Sequence, residues 1–151
     1  MDIATQDLET TVPDGPVRKK WGVALAAGFV VVPTVLLKAQ GKLGLSSDEV
    51  MVLVNLFLTW REAADTPYPR TSTIARRMGV GERTVQRQIV KLEEKELIRR
   101  IWGQPQRDGT RTLTRYDMSG VLTKLQELGN EAVVTAPRQT SSEAPLSMEL
   151  Y

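Results

Sequence analysis

The residues best equipped for chemistry in this chain form one short run, Arg83-Thr84-Val85-Gln86-Arg87. The chemistry they suit is hydrogen bonding rather than bond making. Arg83 and Arg87 stand one helical turn apart, and the arginine fork fits the O6 and N7 of guanine in a bidentate manner. Gln86 matches N6 and N7 of adenine, while Thr84 brings a methyl group to thymine or a hydroxyl to phosphate. Any one of these side chains alone is an ordinary solvated surface group, and it is their number on one face that points to recognition. Catalysis is poorly provided for. The 151 residues include no Cys and no His, which removes thiolate nucleophiles, imidazole bases, disulfides and the usual zinc ligands. An enzyme would have to work with carboxylates, Lys, Ser, Thr or Tyr, so the expectation is a protein without catalytic residues, metal or cofactor.

Two helices joined by a tight turn position the run. Over Thr71–Met78, Ile74 and Met78 at i, i+4 with Ala75 beside them make a short apolar stripe behind a Thr71 or Ser72 N-cap, and Gly79 stops the helix. A second helix is predicted over 82–96. Val85, Ile89 and Leu92 anchor one side, leaving Arg83, Thr84, Gln86, Arg87, Val90 and Lys91 on other faces. The charge distribution agrees with this. The formal net charge of the chain is only +2, yet residues 67–115 hold twelve basic against five acidic residues, a local +7 between flanks that sum to −5. A basic centre between acidic flanks favours a polyanionic partner.

In chain order, residues 1–17 carry four acids and no base and read as a solvated acidic tail, which Arg18-Lys19-Lys20 closes as a basic junction. That junction has two readings, an arm on phosphate or a solubilising link, and Trp21 after it is expected to pack. Arg18-Lys19-Lys20 before the apolar run from Trp21 to Leu37 imitates a secretory signal. Pro33 interrupts the run, no Ala-x-Ala site follows, and it is short of the ~20 residues that span a bilayer. The expectation is therefore no membrane segment and a cytoplasmic, nucleoid-associated protein. Phe29-Val30-Val31-Val32 reads as a short strand and Pro33 opens a short helix that ends near Gly41. Ser46 and Glu49 form a capping box for a helix over 47–62, apolar nearly all round between Val50 and Leu58 except for Asn55. That helix is either the central core helix or, in addition, a homodimer face. Thr66-Pro67-Tyr68-Pro69 holds the chain extended before the helix pair.

Beyond Leu97 the period flattens. Ile98, Ile101 and Trp102, the turn dipeptide Asp108-Gly109 and the stretch Arg111 to Tyr116 predict a β-hairpin over 98–116. Ser119 caps a last helix striped by Val121, Leu125 and Leu128 and stopped by Gly129. The composition then predicts a disordered tail over 130–151, whose apolar end at 146–151 is a candidate docking peptide for a protein partner. Three regions follow: a tail with its basic junction at 1–20, one folded domain at 21–129, and the tail at 130–151.

A helix pair followed at once by a basic hairpin resembles the winged helix-turn-helix domain, mainly α with a small β-hairpin wing. The order Phe29-Val-Val-Val-Pro33, an apolar helix, Tyr68-Pro69, Thr73 to Val80, Arg83 to Arg87 and Leu92 to Lys95 is similar to helix-turn-helix domains of phage and plasmid replication initiators and of small regulators. The resemblance implies that the second helix enters the major groove of double-stranded DNA and that the wing touches the backbone or minor groove. Base contacts then fall to Arg83, Thr84, Gln86 and Arg87, and backbone contacts to Thr71, Ser72, Thr73, Lys91, Arg99, Arg100, Arg107 and Arg111. Two positions depart from the pattern. Glu96 stands where a glycine usually lets the chain leave the helix, and Gln88 where a small residue usually packs on the preceding helix. The leading expectation is a sequence-specific transcriptional regulator acting as a dimer. The alternatives are an origin-binding or adaptor protein of replication or plasmid maintenance, and a winged helix used for protein contacts.

Overall fold

The computed structural model describes residues 15–104, 107–109 and 113–135. The acidic stretch 1–14, Arg111 at the wing tip and the docking peptide at 146–151 lie outside them.

The chain enters through α1 (Pro16–Trp21), which passes into a 3-10 turn, Gly22–Ala27. The basic junction expected in an unstructured tail is thus helical, with Pro16 in the first turn, where its lack of an N–H costs nothing. Trp21, expected to pack, is instead 54% exposed with Lys20 Nζ over its ring at 5.3 Å. The helix buries no residue, so it offers the indole no core to join. The strand expected at Phe29–Val32 does not form. Val30 and Val32 turn towards the core and Phe29 and Val31 towards solvent, as in a strand, but no neighbouring strand among the described residues bonds the backbone.

Pro33 caps α2 (Thr34–Lys38), which buries Leu36, and a tight turn leads to Ser46. There the capping box closes as the residue types demand. Ser46 Oγ accepts the Glu49 N–H and the Glu49 carboxylate accepts the Ser46 N–H, starting α3 (Ser47–Phe57). This helix buries Val50, Val52, Leu53, Asn55, Leu56 and Phe57, and Asn55 satisfies its amide on the Met51 carbonyl at 2.9 Å. It ends at Phe57, five residues before the expected limit. Trp60 folds back so that its ring lies 5.8 Å from that of Phe57, and Asp65 receives the Glu62 N–H in a separate turn. Met51 in the helix and Leu58 at its C-cap, about two turns apart, are the exposed large apolar residues here, so the surface left for a second copy is narrow.

The helix pair follows as α4 (Thr71–Met78) and α5 (Glu82–Glu94). The N-cap of α4 is Arg70 with no side-chain cap, not Thr71 or Ser72; the Thr71 hydroxyl bonds Glu82 Oε1 instead, tying the starts of both helices together. Gly79 takes the left-handed conformation at φ 68° and turns the chain, as its lack of a Cβ allows. Ile74, Val85, Ile89 and Leu92 are fully buried against α3.

The helix exit resolves the Glu96 question. Glu96 itself adopts the left-handed conformation, φ 58°, at the cost an L side chain carries there. The junction needs a glycine at another position, for close packing rather than for a left-handed turn. Gly120 lies so close to this exit that a Cβ on it would sit 2.1 Å from the Glu96 carbonyl oxygen, and Val121 N–H bonds the Leu97 carbonyl at 2.7 Å.

The wing is an antiparallel pair, β1 (Arg99–Ile101) and β2 (Arg115–Asp117), in the register Arg99↔Asp117, Arg100↔Tyr116 and Ile101↔Arg115. Tyr116 reaches the core, and its N–H bonds the Pro67 carbonyl at 2.9 Å, so the extended Thr66–Pro69 segment runs beside β2. Asp117 accepts the Ser119 N–H at 2.9 Å and so opens α6 (Ser119–Thr135), in which Val121, Leu125 and Leu128 are buried. Gly129 does not stop it. A glycine inside a helix costs only about 1 kcal/mol against alanine, and α6 runs six residues further, with Glu131 meeting Lys42 at 3.2 Å. The architecture is a winged helix-turn-helix, mostly helical with a two-stranded wing.

Candidate nucleic-acid interface

The apolar spacing of α5 decides which residues face outward. With Val85, Ile89 and Leu92 in the core, Arg83, Gln86, Arg87, Val90 and Lys91 are exposed and Thr84 is half-buried. Arg83, Arg87 and Lys91 make no ion pair with any described residue, so their charge is available to a ligand. Between this face and the wing lies an open cleft of about 740 Å³. Arg83, Gln86, Arg87 and Lys91 line it from the helix, and Arg100, Trp102 and Thr114 from the wing.

The wing is aimed by an ion pair. The Glu93 carboxylate accepts the Arg100 backbone N–H at 3.0 Å, its Nε at 3.0 Å and its Nη2 at 2.6 Å, so the last turn of α5 grips the first strand at two kinds of atom. Those guanidinium hydrogen bonds hold the Glu93 carboxyl below the ordinary glutamate range. Arg100, expected on phosphate, therefore has its charge committed within the fold, with Trp102 stacked beneath it at 4.9 Å. Arg99 pairs with Asp117 at 3.1 Å on the surface. The Asp117 carboxyl is held low, first by the Ser119 N–H. Arg107 is exposed at the wing tip, while Arg111 falls outside the described residues.

A smaller cleft of about 350 Å³ opens at the start of α4, lined by Arg70, Thr71, Ser72, Glu82 and Thr114 among others. Helix geometry leaves the first N–H groups of α4 without intrahelical acceptors, but the Thr73 and Ile74 N–H groups bond the Arg70 carbonyl and the Thr71 hydroxyl bonds Glu82. Ser72, exposed in that first turn, is the best placed of the three for a phosphate.

Three features escaped the reading of the residues alone. Glu93 clamps the wing, and the seven-residue separation from Arg100 hides that pairing from any local pattern. The Lys95 ammonium bonds Glu49, whose carboxylate is almost fully buried, and so fastens the end of α5 to the start of α3. Burial pushes the Glu49 carboxyl up, but Lys95 and Ser46 outweigh it and the net direction is down. Arg115 lies over the exposed Tyr68 ring at 4.9 Å, which pins β2 to the segment before α4.

Comparison with known proteins agrees with this arrangement. Residues 43–98, from the turn before α3 to the end of the helix pair, match a family model described as a helix-turn-helix domain. Among solved structures, the N-terminal domain of DnaD protein from Geobacillus kaustophilus HTA426 is similar, with 24% identity over 77% of this chain and 94% of that one and a TM-score of 0.52. A chain described as a possible transcriptional regulator from Methanosarcina mazei Go1 shares 18% identity over 70% of this chain and 89% of its own, with a TM-score of 0.45. No curated protein sequence matches. The first likeness shows the fold. No helix among the described residues is long and apolar enough to cross a membrane, and no group of three or more acidic residues among them is arranged to hold a metal ion.

Proposed function

We propose that this protein binds double-stranded DNA in a sequence-specific manner, without catalysis, with α5 in the major groove and the wing on the backbone or minor groove. The observation that carries the reading is the basic and amide face of α5, Arg83, Gln86 and Arg87, unpaired among the described residues and set across an open cleft from a wing that Glu93 fixes in place. Base reading falls to those three residues and Thr84. Lys91, Arg99, Arg107, Arg111 and Ser72 supply contacts to phosphate, and Thr71 and Thr73 approach it through their place in the first turn of α4. Arg100 acts differently. Its guanidinium is held by Glu93, so it orients the wing. The simplest biological role is that of a transcriptional regulator that binds as a dimer and sits on the nucleoid.

A second reading, an origin-binding or adaptor protein of replication or plasmid maintenance, is favoured by the entry segment. Val17, Trp21, Val23 and Val31 leave apolar surface exposed there, apart from the cleft. Selection of bound sequences from a random duplex pool tests the proposal. A palindromic motif supports a dimeric regulator, directly iterated repeats support the origin role, and recovery of no motif contradicts base reading. Removal of 136–151, which leaves α6 whole, separates the roles further: a regulator still represses, whereas an adaptor binds DNA and loses its function.

A further inference from the structure

One side chain in the cleft has no part in major-groove reading. Trp102, just past β1, is 63% exposed although it is among the largest apolar groups of the chain. An indole left in water at the mouth of a cleft is better matched to a ligand than to the fold, because burial inside the domain would be worth more. Its surroundings are built rather than loose. The Arg100 guanidinium lies over the ring at 4.9 Å, and Glu93 fixes that guanidinium through hydrogen bonds to Nε and Nη2. One face of the indole is thereby braced and the rest opens to the cleft.

The opposite wall supplies what a planar heterocycle needs at its edge. Gln86 and Arg87 bring amide and guanidinium donors and acceptors, and Ile89 and Val90 bring an apolar floor. An aromatic face together with edge-directed hydrogen-bonding groups is the pair of features by which proteins hold a base that has left the stack. A paired base offers no face to the indole, since its neighbours in the duplex cover both sides.

We propose that the α5–wing cleft receives an unstacked DNA base against the open face of Trp102, so that the protein prefers duplexes containing unpaired bases over fully paired ones. This rests on the DNA-binding reading above. A base that is already unpaired enters without the unstacking cost, which is the source of the preference.

Anisotropy titrations of the full chain with two labelled DNAs of one sequence and length test it, one fully paired and one with a short central run of mismatches. The parent protein binds the mismatched DNA roughly tenfold more tightly. Trp102→Ala removes that preference and keeps the affinity for paired DNA, while Trp102→Phe retains most of it. The chain has three tryptophans, so quenching present in the parent and absent in Trp102→Phe reports on Trp102 alone. That difference also decides the matter if Trp102→Ala fails to fold: quenching by mismatched DNA only supports the proposal, and none overturns it. Equal affinity of the parent for both DNAs, or a preference that survives Trp102→Ala, overturns the stacking site and leaves duplex binding intact. Binding of neither DNA overturns both.

Discussion

Gly120→Ala tests how the wing is set on the helix pair. The added Cβ would stand 2.1 Å from the Glu96 carbonyl oxygen and 3.0 Å from that of Leu97, where ordinary contact begins at 3.4 Å. Both neighbours are backbone, and neither can swing aside as a side chain would. The start of α6 must therefore move away from the helix exit, stretching the 2.7 Å bond from Val121 N–H to the Leu97 carbonyl beneath the buried Val121 and Leu97 side chains. Overpacking of this kind costs about 1–3 kcal/mol, and a weakened buried hydrogen bond about 1–2 kcal/mol. Alanine returns at most about 1 kcal/mol of helix propensity. The net loss is about 3 kcal/mol, which lowers the urea midpoint by at least about 1 M for a domain of this size. Equilibrium urea denaturation followed by circular dichroism reads it. A variant within about 0.5 kcal/mol of the parent, the range of surface substitutions, would refute the claim that the exit is clamped against α6.

Arg87→Ala is expected to cost about 1–3 kcal/mol of binding to a selected site and to relax sequence preference, whereas Arg107→Ala weakens all sequences alike; anisotropy on selected and random duplexes separates them, and equal losses on both DNAs would remove the base-reading assignment. Gln88 is buried in α5 with no partner for its Oε1 among the described residues, so Gln88→Met should raise stability by about 1 kcal/mol, and a lowered urea midpoint would contradict this. The carboxyls of Glu49, Glu93 and Asp117 are all held low in the fold. Their folded values lie below the unfolded ones of about 4, so their contribution is complete above about pH 5 and is lost as pH falls through the unfolded and then the folded values. Urea midpoints should be flat above pH 5 and decline below it, with a shallower decline in Glu93→Gln.

Much of the fold was legible because its signals are local. The capping box at Ser46 and Glu49, the stop at Gly79 and the Val85–Ile89–Leu92 stripe each depend on residues a turn apart, and each formed. The strand expected at Phe29–Val32 has no partner among the described residues, which no property of those four residues could reveal. Glu96 takes the left-handed conformation itself, and the close packing of this exit on Gly120, 24 positions later, is a contact visible only in three dimensions. Gly129 shows the opposite error, since a residue read as a stop stands within the helix. For the candidate site, the outward face of α5 was readable from its apolar spacing, but the partners of its cations were not. Arg83, Arg87 and Lys91 stay unpaired among the described residues while Arg100 is taken by Glu93, a pairing between strand and helix that depends on how the chain folds back.

Whether the basic cleft grips duplex DNA through its phosphates is tested most directly by affinity measured across a salt series. Fluorescence anisotropy with genomic duplex fragments, starting near about 50 mM salt, should give a log–log slope of roughly −4 to −6, the release expected of about five to seven phosphate contacts. No binding at the lowest salt, or binding with a flat slope, would contradict it.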